Sequence, residues 1–128
     1  MGQQQLLLTV LGVIIVGIAI VVGISLFNAH SVSANRDGVI SDLNNLGALA
    51  RQYYSKPTAL GGGSNSFNGW DIATTGFTAT ANGKYTATVA DQSVAITGIG
   101  NQIGNDGSNN IKSTDFVKPS SDSIVVIN

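Results

Sequence analysis

The sequence predicts an α+β protein in which one long N-terminal helix is packed by a small antiparallel sheet of about four strands. Three observations carry that prediction. An apolar run, LLLTVLGVIIVGIAIVVGISLF, occupies Leu6 to Phe27 without a charged side chain. From Asn28 the pattern becomes one-sided, with apolar residues recurring at helical spacing until Lys56-Pro57. Beyond that point Gly, Ser, Thr and Asn dominate and short stretches alternate with period two. The expected organisation is a helix over 1–55, divided into a membrane or filament-core segment (1–27) and an amphipathic half (28–55). A linker over 56–75 and a small β domain over 76–128 follow.

The first element is the apolar run. It is about 22 residues long, or roughly 33 Å of helix, against a bilayer hydrocarbon core of about 30 Å. A secretory signal would show a basic start, a shorter apolar core and a small-residue cleavage site. Here no Lys or Arg precedes the run, and the first of either is Arg36. A myristoylation signal needs Ser or Thr where this chain has Leu6. An ordinary single-pass anchor would carry a basic flank to orient it. A basic leader removed by a peptidase would leave a charge-free start of this kind.

These residues resemble a mature type IV pilin or pseudopilin. The likeness lies in Met1, the short polar stretch to Gln5, the apolar half-helix, the amphipathic half-helix and the small β domain. It implies a structural subunit of an extracellular, cell-surface type IV pilus-like helical filament, a fimbrium serving adhesion, motility or surface attachment. Before assembly such a subunit is held in the inner membrane by its single transmembrane helix. Its partners would be copies of itself in a homopolymer, the inner membrane and the pilus assembly machinery. The resemblance also implies that Met1 is the processed, N-methylated terminus. The filament-core interface would comprise Gln5, Leu6, Leu7, Val10, Leu11, Ile14, Ile18, Val21, Val22, Ile24 and Phe27.

Two positions depart from the family pattern. Gln5 stands where the family usually has a glutamate that neutralises a neighbour's terminal amine. An amide cannot supply that charge, so the amine is expected to meet Gln side chains and backbone carbonyls, or to stay near solvent in a lumen. Val22 replaces the family's helix-breaking proline. Any loosening of the apolar helix then falls to Gly12, Gly17 or Gly23, each costing about 1 kcal/mol of helix stability relative to Ala. Two other readings compete: a pseudopilin acting as a piston in a secretion system, and a single-pass membrane protein with a small extracytoplasmic binding domain.

In the amphipathic half, Val32, Val39, Ile40, Leu43, Leu46, Ala50 and Tyr53 share one helical arc. Asp37, Ser41 and Asn45 point the other way. Arg36 falls inside the apolar arc, where its stem would pack while its head reaches water, or pairs with an Asp of an adjacent subunit. A pre-proline residue disfavours helix, so the helix should stop near Tyr54 or Ser55. A helix of about 54 residues, roughly 80 Å, attached to so small a domain must be covered by lipid or by copies of itself.

The β domain opens on GFTATANGKYTATV, where Asn82-Gly83 marks a hairpin. A three-residue loop Ala81-Asn82-Gly83, with Gly83 left-handed, would pair Thr80 with Lys84 and gather Phe77, Ala79, Tyr85, Ala87 and Val89 on one face. Further strands are expected around Ser93 to Ile99 and Ser123 to Ile127. The Gly- and Asn-rich stretch from Gly100 to Phe116 should be an exposed loop. Phe67, Trp70 and Phe77 are expected to form the core.

Composition excludes several function classes. With 128 residues, a net charge of −1 and six scattered Lys or Arg, the chain has no basic cluster for a nucleic acid. It has no cysteine and one histidine, His30, which removes disulfides, thiolate chemistry and His-paired catalysis. No Gly-rich phosphate cradle with a Lys occurs, nor a carboxylate pair close in sequence. No enzymatic activity, cofactor or metal is expected. Asp106, Ser108 and Asn110 have the opening spacing of a calcium loop, but Ile111 stands where that loop needs Gly, so a plain turn is expected.

Overall fold

The computed structural model describes residues 2–128, so the terminus expected at Met1 lies outside the described residues. One long helix and a four-stranded antiparallel sheet make an α+β fold. Two compact units divide the chain, the first ending at Ser31 and the second being Val32–Asn128.

Helix α1 runs Gly2–Ser55. Its stretch in the first unit carries the apolar run and is helical throughout, Gly12, Gly17 and Gly23 included. In the second unit α1 turns one face inward, burying Val39, Leu43, Leu46 and Ala50. The stop falls where the sequence placed it. The Lys56 amide still donates to Gln52 O at 3.1 Å, but Pro57 has no amide to continue the ladder. The linker then folds back and satisfies the orphaned carbonyls of the last turn: Gly63 N donates to Tyr53 O and Asn65 N to Tyr54 O, both at 2.8 Å.

Two short 3₁₀ turns, Thr58–Leu60 and Ile72–Thr75, shape the linker. Asp71 caps the second by accepting from Ala73 N at 2.9 Å. Between them Phe67 and Trp70 enter the core, as expected, Phe67 lying 4.8 Å from the Tyr54 ring between centroids.

The sheet is a meander of β1 (Gly83–Val89), β2 (Val94–Ile103), β3 (Asn110–Val117) and β4 (Asp122–Val126) in sequential order. Turns at 90–93 and 118–121 close the first and last hairpins, with Ala90 N donating to Ser93 O and Lys118 N to Ser121 O. Tyr85, Val94, Ile96 and Val117 meet the buried face of α1 and complete one core.

Three expectations are corrected. The residues before Asn82 form no strand: they touch β1 through a single bridge, Ala79 to Lys84, and β1 takes β2 as its hairpin partner. The Thr80–Lys84 register and the left-handed Gly83 are therefore both absent. Gly83 is instead the first residue of β1, paired with Gly100, where a Cβ would collide with the Ile99 carbonyl oxygen. The cause is tertiary, since the Asn82 side chain is tied to α1 through Asp42 and Asn35 holds its carbonyl. Phe77, freed from that hairpin, is 41% exposed and lies outside the core. Finally, the expected loop from Gly100 to Phe116 contains the end of β2 and most of β3.

Candidate functional site

In the first unit the candidate interface is the apolar helical surface itself. Leu6, Leu7, Val10, Leu11, Ile14, Ile18, Val21, Val22, Ile24 and Phe27 are between 51% and 71% exposed. Gln5 is exposed as well, and its carbonyl accepts from Thr9 Oγ1 at 2.8 Å. A Cβ at Gly12, Gly17 or Gly23 would meet nothing within 4 Å. The protomer therefore makes no use of those three small residues for its own packing. This segment of α1 is long and apolar enough to cross a bilayer. His30 is exposed at its end.

In the second unit the residues expected to pack do so to different degrees. Val39, Leu43, Leu46 and Ala50 are buried, while Val32, Arg36, Ile40 and Tyr53 are half-buried. Asp37, Ser41 and Asn45 are exposed, as the arc requires. The Arg36 head group donates to Asn105 Oδ1 at 3.1 Å, on the turn between β2 and β3. Asn35 helps hold the same end of the sheet, accepting from Asn101 N and Gln102 N.

Two aspartates of this unit had no signal in the sequence. Asp42 Oδ2 accepts from Tyr85 Oη at 2.6 Å, Thr80 Oγ1 at 2.7 Å and Asn82 Nδ2 at 3.0 Å. Partial burial pushes its pKa up, but the hydrogen bonds from Tyr85, Asn82 and Thr80 outweigh burial and hold it below the usual carboxylate value. Tyr85 moves the other way, raised by burial and by its bond to the Asp42 carboxylate. The second is Asp115, fully buried on β3 beside the Arg51–Asp122 salt bridge of 2.9 Å.

The calcium-like stretch is a turn. Asp106 turns its carboxylate back onto Ser108 N and Asn109 N, both at 2.9 Å, and these bonds lower its pKa. Asn128 pins the same turn, accepting from Asp106 N and donating to Asn109 O. Among the described residues no three His, Cys, Asp or Glu side chains gather into a metal-ligating group.

Chemically, the second unit offers polar clasps that fix a small sheet to a helix. The first offers a continuous exposed apolar surface with no Asp, Glu, Lys or Arg among its described residues. Comparison with family models, with curated proteins and with solved structures returns no match to this chain.

Proposed function

We propose that the chain is the structural subunit of a type IV pilus-like helical filament at the cell surface, held in the inner membrane on its apolar helix before assembly. The observation that carries this reading is the exposure of every large apolar side chain from Leu6 to Phe27 on a helix of membrane-spanning length. Such a surface needs either lipid or protein around it. Burying one Leu, Ile, Val or Phe side chain stabilises by about 1.5–3 kcal/mol relative to water, so ten of them favour association over solvation by tens of kcal/mol.

Lipid covers that surface equally well, so transfer from membrane to filament depends on packing rather than on the hydrophobic effect. Gly12, Gly17 and Gly23 support this step, because small residues let neighbouring helices approach closely. The second unit has its own core around Leu43, Leu46, Phe67 and Ile96 and serves as the folded outer tile. Its clasps at Asp42 and Arg36 fasten the sheet to the helix that continues into the assembly.

The test is electron microscopy of material sheared from cells, with mass fingerprinting of the fibres. Long filaments built from this chain support the proposal. Retention of the chain in the membrane fraction, with no fibre containing it, favours a single-pass binding protein instead.

A further inference from the structure

Asp115 is the fully buried carboxylate of the second unit, and among the described residues its oxygens have no partner. It sits on β3 between Ile96 of β2 and Ile124 of β4, with its side chain wholly buried. Oδ2 faces α1 at Gly47, where an added Cβ would lie 2.7 Å from it. The missing side chain at Gly47 is what gives the carboxyl room. Among the described residues neither Oδ1 nor Oδ2 has a hydrogen-bond partner, and Ser113 Oγ, on the same inward row of β3, is also buried and unpaired.

The charges around it do not match it. Arg51, four residues beyond Gly47 on α1, points its guanidinium at Asp122 of β4, at 2.9 Å. Two acids thus share one base, and the base is committed to the acid that is 35% exposed. Among the described residues no other charge relieves the site: β2 carries no titratable side chain, and Lys112 and Lys118 are exposed away from the inward row of β3. An ionised carboxylate left without a partner in such a place is costly, whereas a neutral acid is tolerated.

We infer that Asp115 is a proton-operated clasp between α1 and the β3–β4 hairpin. With its proton on, the carboxyl is a small neutral group filling the space over Gly47, and Arg51 stays with Asp122. Loss of that proton to solvent places a second anion beside Asp122, makes the two compete for Arg51, and loosens the seam along Gly47–Arg51, β3 and β4. Burial first, and the neighbouring Asp122 second, push the Asp115 pKa up to about 6, with Arg51 pulling part of the way back. The change therefore falls between mildly acidic and neutral pH. The folded pKa lies above the unfolded one, so the fold is favoured below the unfolded value and loses that advantage as pH rises through about 6.

The experiment is hydrogen exchange of the full chain in detergent micelles at pH 5 and pH 7.5, corrected for intrinsic exchange rates and read by mass spectrometry. Segments 47–51, 113–117 and 122–126 should open about tenfold more readily at pH 7.5, because pH 5 already lies above the unfolded carboxylate value and only the last unit or so of the shift is traversed. Asp115→Asn should abolish the difference, and Asp122→Asn should move it to lower pH. Should Asp115→Asn fail to fold, a carbon-13 carboxyl titration of the unmodified protein still decides the matter. A midpoint near 6 for Asp115 supports the clasp. A midpoint near 4, or a pH effect that survives in Asp115→Asn, overturns it.

Discussion

Replacing Asp42 by Asn tests how the sheet is fastened to the helix. One oxygen, Oδ2, takes all three hydrogen bonds, from Tyr85, Thr80 and Asn82. A hydrogen bond to a charged group contributes about 1.5–3 kcal/mol net, and bonds sharing one acceptor are not additive, so Asp42→Asn should destabilise the second unit by about 2–4 kcal/mol. The amide keeps an oxygen but loses the charge and brings an NH₂ group toward three donors. The Tyr85 hydroxyl, on a residue only 3% exposed, is then poorly satisfied. Tyr85→Phe removes one donor alone and should cost about 1–2 kcal/mol, with a coupling to Asp42→Asn of about 1 kcal/mol or more in the double mutant.

The chain has a single tryptophan, Trp70, 6% exposed in this core, so urea unfolding followed by its fluorescence reads the unit directly. The dependence on pH supplies a second check. The Asp42 pKa is depressed in the fold, so its stabilisation is complete above the unfolded value near 4 and is lost as pH falls through the folded value. The gap between wild type and Asp42→Asn should therefore shrink below about pH 4. A variant within 0.5 kcal/mol of wild type at pH 7, roughly the scatter of a surface substitution, or a gap that widens on acidification, would refute the reasoning.

Three further outcomes follow from the same geometry. Leu43→Ala, at a side chain with no exposure, should lower stability by about 2–5 kcal/mol in the same urea assay. Gly83→Ala should destabilise by more than the fraction of a kcal/mol typical of a surface change, because its Cβ meets the Ile99 carbonyl across the β1–β2 pair, and circular dichroism melting will register it. Ile14→Lys, in the exposed apolar segment, should cost about 2.5–3.5 kcal/mol of membrane insertion while leaving the Trp70 unfolding curve of the second unit unchanged.

The helix was legible because its signals are local. Apolar spacing marked the inward face through Val39, Leu43, Leu46 and Ala50, and Pro57 marked the stop at Ser55. β2 and β4 were legible for the same reason, being runs of apolar and β-branched residues. β3 was not, because NIKSTDFV turns Ser113 and Asp115 inward, where a strand usually shows apolar residues. Asp115 has room in that row because Gly47 stands opposite, and such a pairing has no trace in sequence spacing. The Asn82-Gly83 signal marked a real turn, closed by Thr80 N donating to Gly83 O, but misled on the register and the strand before it, because Asn82 Nδ2 bonds an aspartate 40 positions earlier on α1. Of the candidate interface, the apolar run was read directly from composition. The partners of Asp42 and Asp115 lie on other elements, and only the fold brings them together.

The central claim is that the surface from Leu6 to Phe27 is shielded by other copies of the chain once it leaves lipid. Sedimentation of the intact protein after detergent removal tests it most directly. The account predicts large, fibrous assemblies and no free protomer, whereas a stable, monodisperse species of 13.1 kDa would contradict it.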